Sequence, residues 1–470
     1  MRSFSTLARG SAASLKRLPF LSTGARAFSC SPQLLQQIET LAQAKAAQTK
    51  ELKSKYGSYV LGEVTVEQCI GGMRGIKGMI CETSDLDVEE GIRFRGYTIK
   101  ELQAKLPTAP GGTEPLPEGL IWLLMTGNLP SEAETKIITE ELRKRQEVPA
   151  HVMKVLESLP PDTHPMTQLV TAVTALQTES VFAKAYAEGV KKSEYWKLCL
   201  EDAFGVMAKV PVVAAAIYRR SFNKGPMIPP SNDPNLDWSA NFCHMLGIQD
   251  FDFVELMRLY LFLHADHEGG NVSAHATHLV GSALSDPYLS MAAGLAGLAG
   301  PLHGLANQEC LKWILDTHKE LNGEEPTPEK VAAIAKATLA SGRVVPGFGH
   351  AVLRVTDPRY TAQRDFALKK LPDYPLFKLV DACFKGIPPV LEATGKVKNP
   401  WPNVDAHSGI LLHKYNFKEA DFYTVLFGVS RATGVMSQLV WSRVLGFPIE
   451  RPKSLTLDSI SAVSKHVDLP

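Results

Sequence analysis

From Ile99 onward, stretches of roughly 10 to 20 residues with apolar side chains at helical spacing alternate with proline- and glycine-rich breaks, a pattern that leaves little room for a sheet. The breaks fall at residues 107–117, 160–165, 225–234, 323–328 and 396–402. At Thr327-Pro328 and Asp357-Pro358 a side-chain cap precedes a proline, whose missing N–H and fixed φ suit the first helical position, so helices are predicted to start there. Residues 210–218, 253–263 and much of 422–445 are apolar on nearly every side and belong in a large core or a subunit interface. Residues 280–302 are interrupted by Asp286-Pro287 and rich in glycine, which predicts a pair of buried helices rather than a membrane span. Leu34, Leu35, Ile38 and Leu41 predict a first helix over residues 33–53. Between Tyr59 and Tyr97, β-branched residues mixed with Gly71, Gly72, Gly75 and Gly78 predict short strands and turns. The expected class is all-α, with minor β structure near the N-terminus.

A chain of 470 residues favours two domains over one. Its 50 basic and 49 acidic residues provide no concentrated cationic footprint for nucleic acid or a membrane surface, so small-molecule partners are favoured. Seven cysteines without a CxxC pair indicate neither a disulfide framework nor a thiolate zinc site. Residues 1–38 carry five basic residues and no acid. On a helical wheel Phe4, Leu7, Leu15 and Leu18 oppose Arg2, Arg9, Lys16 and Arg17, the pattern of a mitochondrial presequence, with a processing point at Arg26-Ala27-Phe28-Ser29. The C-terminal Asp468-Leu469-Pro470 is neither an ER nor a peroxisomal address.

Three short segments can do chemistry. Gly300-Pro301-Leu302-His303 sets a histidine at a break between helices, where a neutral imidazole can donate a hydrogen bond to a developing oxyanion. Val344-Val345-Pro346-Gly347-Phe348-Gly349-His350 leads through Arg354 to Asp357-Pro358-Arg359, a combination suited to carboxylate or phosphate. Lys398-Asn399-Pro400-Trp401-Pro402-Asn403-Val404-Asp405 holds an aspartate after two prolines, either as a base or as a helix cap. A fourth segment places His264, Asp266, His267, Glu268, His275 and His278 close together. It lacks HExxH and reads either as the raw material of a metal site or as core and interface histidines.

GGMRG at 71–75, EGIRFRG at 90–96, DHEGGN at 266–271, GPLHGLAN at 300–307, the loop ending in His350, NPWPNVDAHSG at 399–409, GVSRA at 428–432 and ERPKS at 450–454 occur in this order. Together they closely resemble the citrate synthase family of the eukaryotic mitochondrial type. The resemblance implies a large helical domain (32–304 and 416–470) and a smaller one (305–415) behind a presequence (1–31), assembled as a homodimer in the mitochondrial matrix. It implies condensation of acetyl-CoA with oxaloacetate and water to give citrate and CoA. Asp405 would be the base, His303 the donor to the thioester oxygen, and His350 the acid at the keto oxygen. His267, Arg359, Phe427, Arg431 and Arg451, the last reaching a partner's site, would hold oxaloacetate. Arg74, Lys192, Val344, Val345, Gly347, Arg354, Lys398 and Asn403 would lie near CoA. No metal or cofactor is implied, acetyl-CoA being a substrate. Lys192 and Phe348 stand where arginine and tyrosine are common in the family. A 2-methylcitrate synthase acting on propionyl-CoA shares the same histidines and aspartate; a metal-dependent hydrolase and a non-catalytic helical scaffold are more distant readings.

Overall fold

The computed structural model of the protein describes residues 30–464, so the presequence pattern, its processing point and the final three residues lie outside the described residues. The described residues are 61% helical, with three short strands. Helix α1 spans Pro32–Tyr56, with Leu34 and Ile38 buried against the body. Strands β1 (Ser84–Asp87), β2 (Gly91–Phe94) and β3 (Tyr97–Thr98) form one antiparallel sheet, in which Ser84 pairs with Phe94 and Leu86 with Ile92.

The strands expected across residues 59–83 do not form. In their place Val66–Ile70 makes a one-turn helix closed by a capping box between Thr65 and Gln68, and the surrounding β-branched residues, such as Val60 at 70% exposure, are left uncovered.

At the centre of the body lie α2 (Tyr195–Ser221) and α3 (Phe251–Leu263), bridged by the helix Trp238–Leu246, which packs on both. Helices α4 (Val272–Ser282) and α5 (Pro287–Leu298) pack on each other and meet at the expected break, where Asp286 accepts the main-chain N–H groups of Tyr288 and Leu289; α4, however, begins eight residues before the stretch expected to hold both helices and leaves Val272 and Leu279 exposed, so it is not a buried helix. Their close approach depends on Gly294: a Cβ there would stand 2.9 Å from the Ser273 carbonyl oxygen. Helices α6 (Ala306–Glu320), α7 (Pro328–Ala340), α8 (Pro358–Lys370), α9 (Pro375–Glu392) and α10 (Asp405–Lys414) pack chiefly on one another, α7 on α9 and α10 on both α6 and α8. Thr327 and Asp357 cap α7 and α8 through Lys330 N–H and Arg359 N–H, at the starts expected from Pro328 and Pro358. The chain then returns to the body as α11 (Tyr423–Val444), which packs along α2 with every residue from Tyr423 to Arg443 buried. Fully burying each large apolar side chain contributes about 1.5–3 kcal/mol, so this pairing is a main source of stability. Among the described residues no helix is long and apolar enough to cross a membrane.

Candidate active site

Helix α3 runs out at His264, and the turn that follows carries the next functional groups. His264 is fully buried with its ring stacked on Tyr260 at 4.0 Å, and its Nδ1–H donates to the Tyr260 carbonyl at 2.9 Å. Burial, reinforced by Arg359, lowers its pKa to about 3, so it is a neutral packing element. Glu268 takes a left-handed φ of 54° and turns the chain. The turn is anchored by buried Asp266, whose carboxylate accepts from Thr83 and Ser84 hydroxyls, each at 2.8 Å, and from Gln438 at 2.5 Å. The small sheet therefore serves the site from a distance in sequence. His267, beside this anchor, has a buried Nε2 with no hydrogen-bond partner among the described residues and a ring 5.4 Å from that of His350.

Asn271 caps α4 and accepts from Arg431 at 2.9 Å. Arg431 also donates to the His264 carbonyl at 3.3 Å and lies 4.9 Å over the Phe427 ring. Phe427 in turn meets His264 and His303 edge-on, at 5.1 and 6.1 Å. His303 occupies the turn just before α6. The Ser273 main-chain N–H, which can only donate, points at its Nε2 at 3.4 Å, and the Ser273 hydroxyl lies 3.0 Å from the same nitrogen. A donor on Nε2 leaves the proton of the neutral ring on Nδ1. Burial comes first and Arg431 second in lowering this histidine to about 4.

His350 has the opposite tautomer. Its Nδ1 accepts from the main-chain N–H groups of Val352 at 3.0 Å and Leu353 at 3.1 Å, which places the proton on Nε2. Burial and then Arg359 lower it to about 4. Arg359 itself grips Asp357 through Nε and one terminal nitrogen, the latter at 2.7 Å. Burial alone would raise Asp357, but the guanidinium prevails and holds the carboxylate below its usual range.

The His350 loop and the Asp405 turn are laced together. Gly349 N–H donates to the Trp401 carbonyl at 2.9 Å, Asn403 N–H to the Gly347 carbonyl at 2.9 Å, and the Asn403 amide to the Gly349 carbonyl at 3.0 Å. Gly347 is required by this crossing: its φ is 81°, and a Cβ would fall 2.6 Å from Cys310 Sγ. Asp405 is the first residue of α10 and not its cap, a position taken by Val404. Burial raises its pKa to about 6, against the opposing pull of Arg359 and a hydrogen bond from Asn307. A carboxylate so poised is ionised at neutral pH yet more basic than an exposed one.

The remaining predicted residues lie elsewhere. Val345 is buried, whereas Val344 is 79% exposed. Arg354 donates to the carbonyls of Val352 and Leu353, both at 2.8 Å, within its own loop. Arg74, Lys398 and Arg451 are exposed, and so is Lys192, which opens a short 3₁₀ helix. The six-residue histidine and acid cluster diverges: His264 packs in the core, His267 faces His350, and His275 and His278 approach Glu450. No group of three potential metal ligands is found among the described residues. Asp266, Ser273, Asn307 and Asp357 support the site but had no functional signal of their own in the sequence beyond lying inside or beside its motifs.

Residues 72–453 match the family model described as citrate synthase, C-terminal domain. The chain is 56% identical over 441 residues to mitochondrial citrate synthase of Xiphias gladius, covering 94% of each chain. It is 54% identical over 469 residues to mitochondrial citrate synthase of Saccharomyces cerevisiae, covering 99% of this chain and 97% of the other. Among solved structures, citrate synthase from Pyrobaculum aerophilum matches with a TM-score of 0.70 at 28% identity, over 85% of this chain and 95% of that one.

Proposed function

The chain belongs to the citrate synthase family, and on that premise we propose that Asp405, His303 and His350 divide the proton transfers of its reaction among them. The protein condenses acetyl-CoA with oxaloacetate and water to give citrate and CoA, in the mitochondrial matrix. Asp405 takes a proton from the acetyl methyl group while His303 Nδ1–H donates a hydrogen bond to the thioester oxygen, so that charge never accumulates on a bare enolate. The methyl carbon attacks the keto carbon of oxaloacetate, and His350 gives its Nε2 proton to the keto oxygen as the carbon–carbon bond forms. Water then cleaves the citryl thioester: its oxygen stays on the acyl carbon, one of its protons restores His350, and the proton held by Asp405 leaves with the sulfur as the thiol of CoA.

The observation that carries this reading is the pair of opposite tautomers. Main-chain donors occupy Nε2 of His303 and Nδ1 of His350, which frees one N–H on each ring for a substrate oxygen. His267, Arg359, Phe427 and Arg431 form the oxaloacetate pocket, with Arg451 supplied by a second copy of the chain. Among the described residues Arg431 makes bonds through Nε and one terminal nitrogen, leaving the other for a carboxylate. Arg74, Lys192, Val344, Val345, Gly347, Arg354, Lys398 and Asn403 are the CoA-binding set, the exposed cations among them suiting phosphate. Residues 305–415 are the smaller domain, which closes on the rest.

The homodimer is supported by exposed apolar side chains in two stretches, Tyr59, Val60, Leu61 and Ile70 in the first and Ile449, Leu455 and Leu457 in the second. Acetyl-CoA is a substrate, and the acid–base groups above account for each proton without a cofactor. The test is thiol release from acetyl-CoA by the purified protein, with and without oxaloacetate. Release must require the keto acid and must be lost in Asp405→Ala; a variant of full activity overturns the assignment of the base.

A further inference from the structure

Resting on the reading of Arg451 as an oxaloacetate-binding residue of a neighbouring subunit, we infer that Glu450 is its positioning residue, clamped by one face of α4. The segment after α11 is almost free of the body. From residue 446 to 459 only Phe447 and Glu450 are even partly buried, and residues 451–459 are all exposed. Glu450 is therefore the last fixed point before the arm leaves the surface, and Arg451 is the first residue beyond it.

Three groups of α4 hold that point. His278 Nδ1 donates to one carboxylate oxygen of Glu450, and His275 Nε2 stands 3.4 Å from the other. The Ser282 hydroxyl accepts the Glu450 main-chain N–H at 3.0 Å. Both the carboxylate and the backbone of Glu450 are thus fixed, which sets the position from which the next side chain departs. Residues 271, 275, 278 and 282 recur at helical spacing and share a face of α4. The same face holds Asn271 against Arg431 at one end and Glu450 at the other. One rigid helix consequently sets the guanidinium that serves its own pocket and the root of the guanidinium offered to another subunit's pocket.

The clamp has a physical purpose in this reading. An arginine on a free arm loses conformational entropy when it meets a carboxylate, and anchoring the preceding residue removes part of that cost before substrate arrives. Glu450 does not touch substrate. Its effect must therefore be transmitted through Arg451, and this distinguishes it from a residue that merely holds the fold.

The experiment is a double-mutant cycle on the full chain, read as separate KM values for oxaloacetate and acetyl-CoA. Arg451→Ala and Glu450→Ala should each raise the oxaloacetate KM by about tenfold or more, while the acetyl-CoA KM stays within about twofold. Combined, they should lose no more than Arg451→Ala alone, because a residue acting through another has nothing left to act on. Glu450→Gln, which can still accept from His278, should recover most of the loss. If Arg451→Ala raises the oxaloacetate KM and Glu450→Ala does not, or if the two losses multiply, the clamp is wrong. If Arg451→Ala leaves that KM unchanged, the underlying reading of Arg451 fails and the clamp with it. Should Glu450→Ala not fold, His278→Ala removes the grip from the helix side and must raise the same KM; an unchanged value overturns the inference.

Discussion

The rings of His267 and His350 meet edge to face at 5.4 Å, joining the turn after α3 to the loop before α8. Neither ring can accept a proton cheaply there. Burial and then Arg359 hold His267 well below the ordinary histidine range and His350 at about 4, so the contact is between two neutral imidazoles.

This neutrality has a consequence for acid stability. His264 and His350 have folded pKa values of about 3 and 4, and His303 also about 4, all below the unfolded value near 6.5. Through these three rings the unfolded chain binds more protons than the folded one below pH ~6.5, so their contribution to stability falls as pH drops towards 4. Glu118 and Asp202, raised by burial to about 7, and Asp405 act in the opposite direction, so the check is a difference between two proteins. His264→Gln, if it folds, should lose less Tm than the wild type between pH 7 and pH 4, and equal losses would contradict the neutral assignment.

Asp405 behaves in the opposite sense. Its folded pKa of about 6 lies above the unfolded value of 3.8, so folding favours the protonated acid and the charged form costs stability once pH exceeds that value. Asp405→Asn should lower kcat by about 100-fold or more. It should nevertheless melt higher than the wild type at pH 8, by no more than about 3 kcal/mol of stability. The wild-type rate should rise with pH through about 6, and Tm and kcat for the two proteins check both signs.

Gly347→Ala tests the crossing of the His350 loop and the Asp405 turn. The new methyl group would fall 2.6 Å from Cys310 Sγ and 3.0 Å from the Ala406 Cα, at a left-handed φ. A cost of about 1–3 kcal/mol is expected, with kcat lowered because the strain falls beside Asp405. A variant with unchanged melting temperature and turnover would show that the crossing tolerates a side chain.

Cys30 bears on where the presequence ends. It is buried among α1, α2 and the Arg145–Glu201 pair, its thiol donating towards Glu201 at 3.6 Å. Removal of all of residues 1–31 would empty that position beside an ion pair. The mature N-terminus is therefore expected at or before Cys30, within the processing point at residues 26–29. Intact mass measurement of the protein from mitochondria checks this; a chain beginning after Cys30 would refute it.

Much of the helical frame was legible because its signals are local. Thr327-Pro328 and Asp357-Pro358 each carry a cap and a φ-restricted first residue, and α7 and α8 start where those signals place them. The segment between Tyr59 and Ser84 misled because β-branched residues indicate a strand only when another strand or a core covers them, and Val60, Val64 and Ile80 are left exposed within the chain. His303, His350 and Asp405 could be singled out from their short motifs. Their protonation could not, since it depends on which main-chain amides the fold brings to each ring, and Ser273 lies thirty residues from His303 in sequence. Asp266 stood out in sequence only as one acid of a histidine-rich segment, and its role as an anchor comes from the hydroxyls of Thr83 and Ser84.

The lacing of the His350 loop to the Asp405 turn means that, in the proposed mechanism, the group that takes the methyl proton and the group that protonates the keto oxygen share one mount. Neither can be displaced without carrying the other along, so any error in their alignment is common to both and their spacing survives it. Evolution is left with a single adjustment to make for two events, and a lesion anywhere along that mount spoils the timing of both.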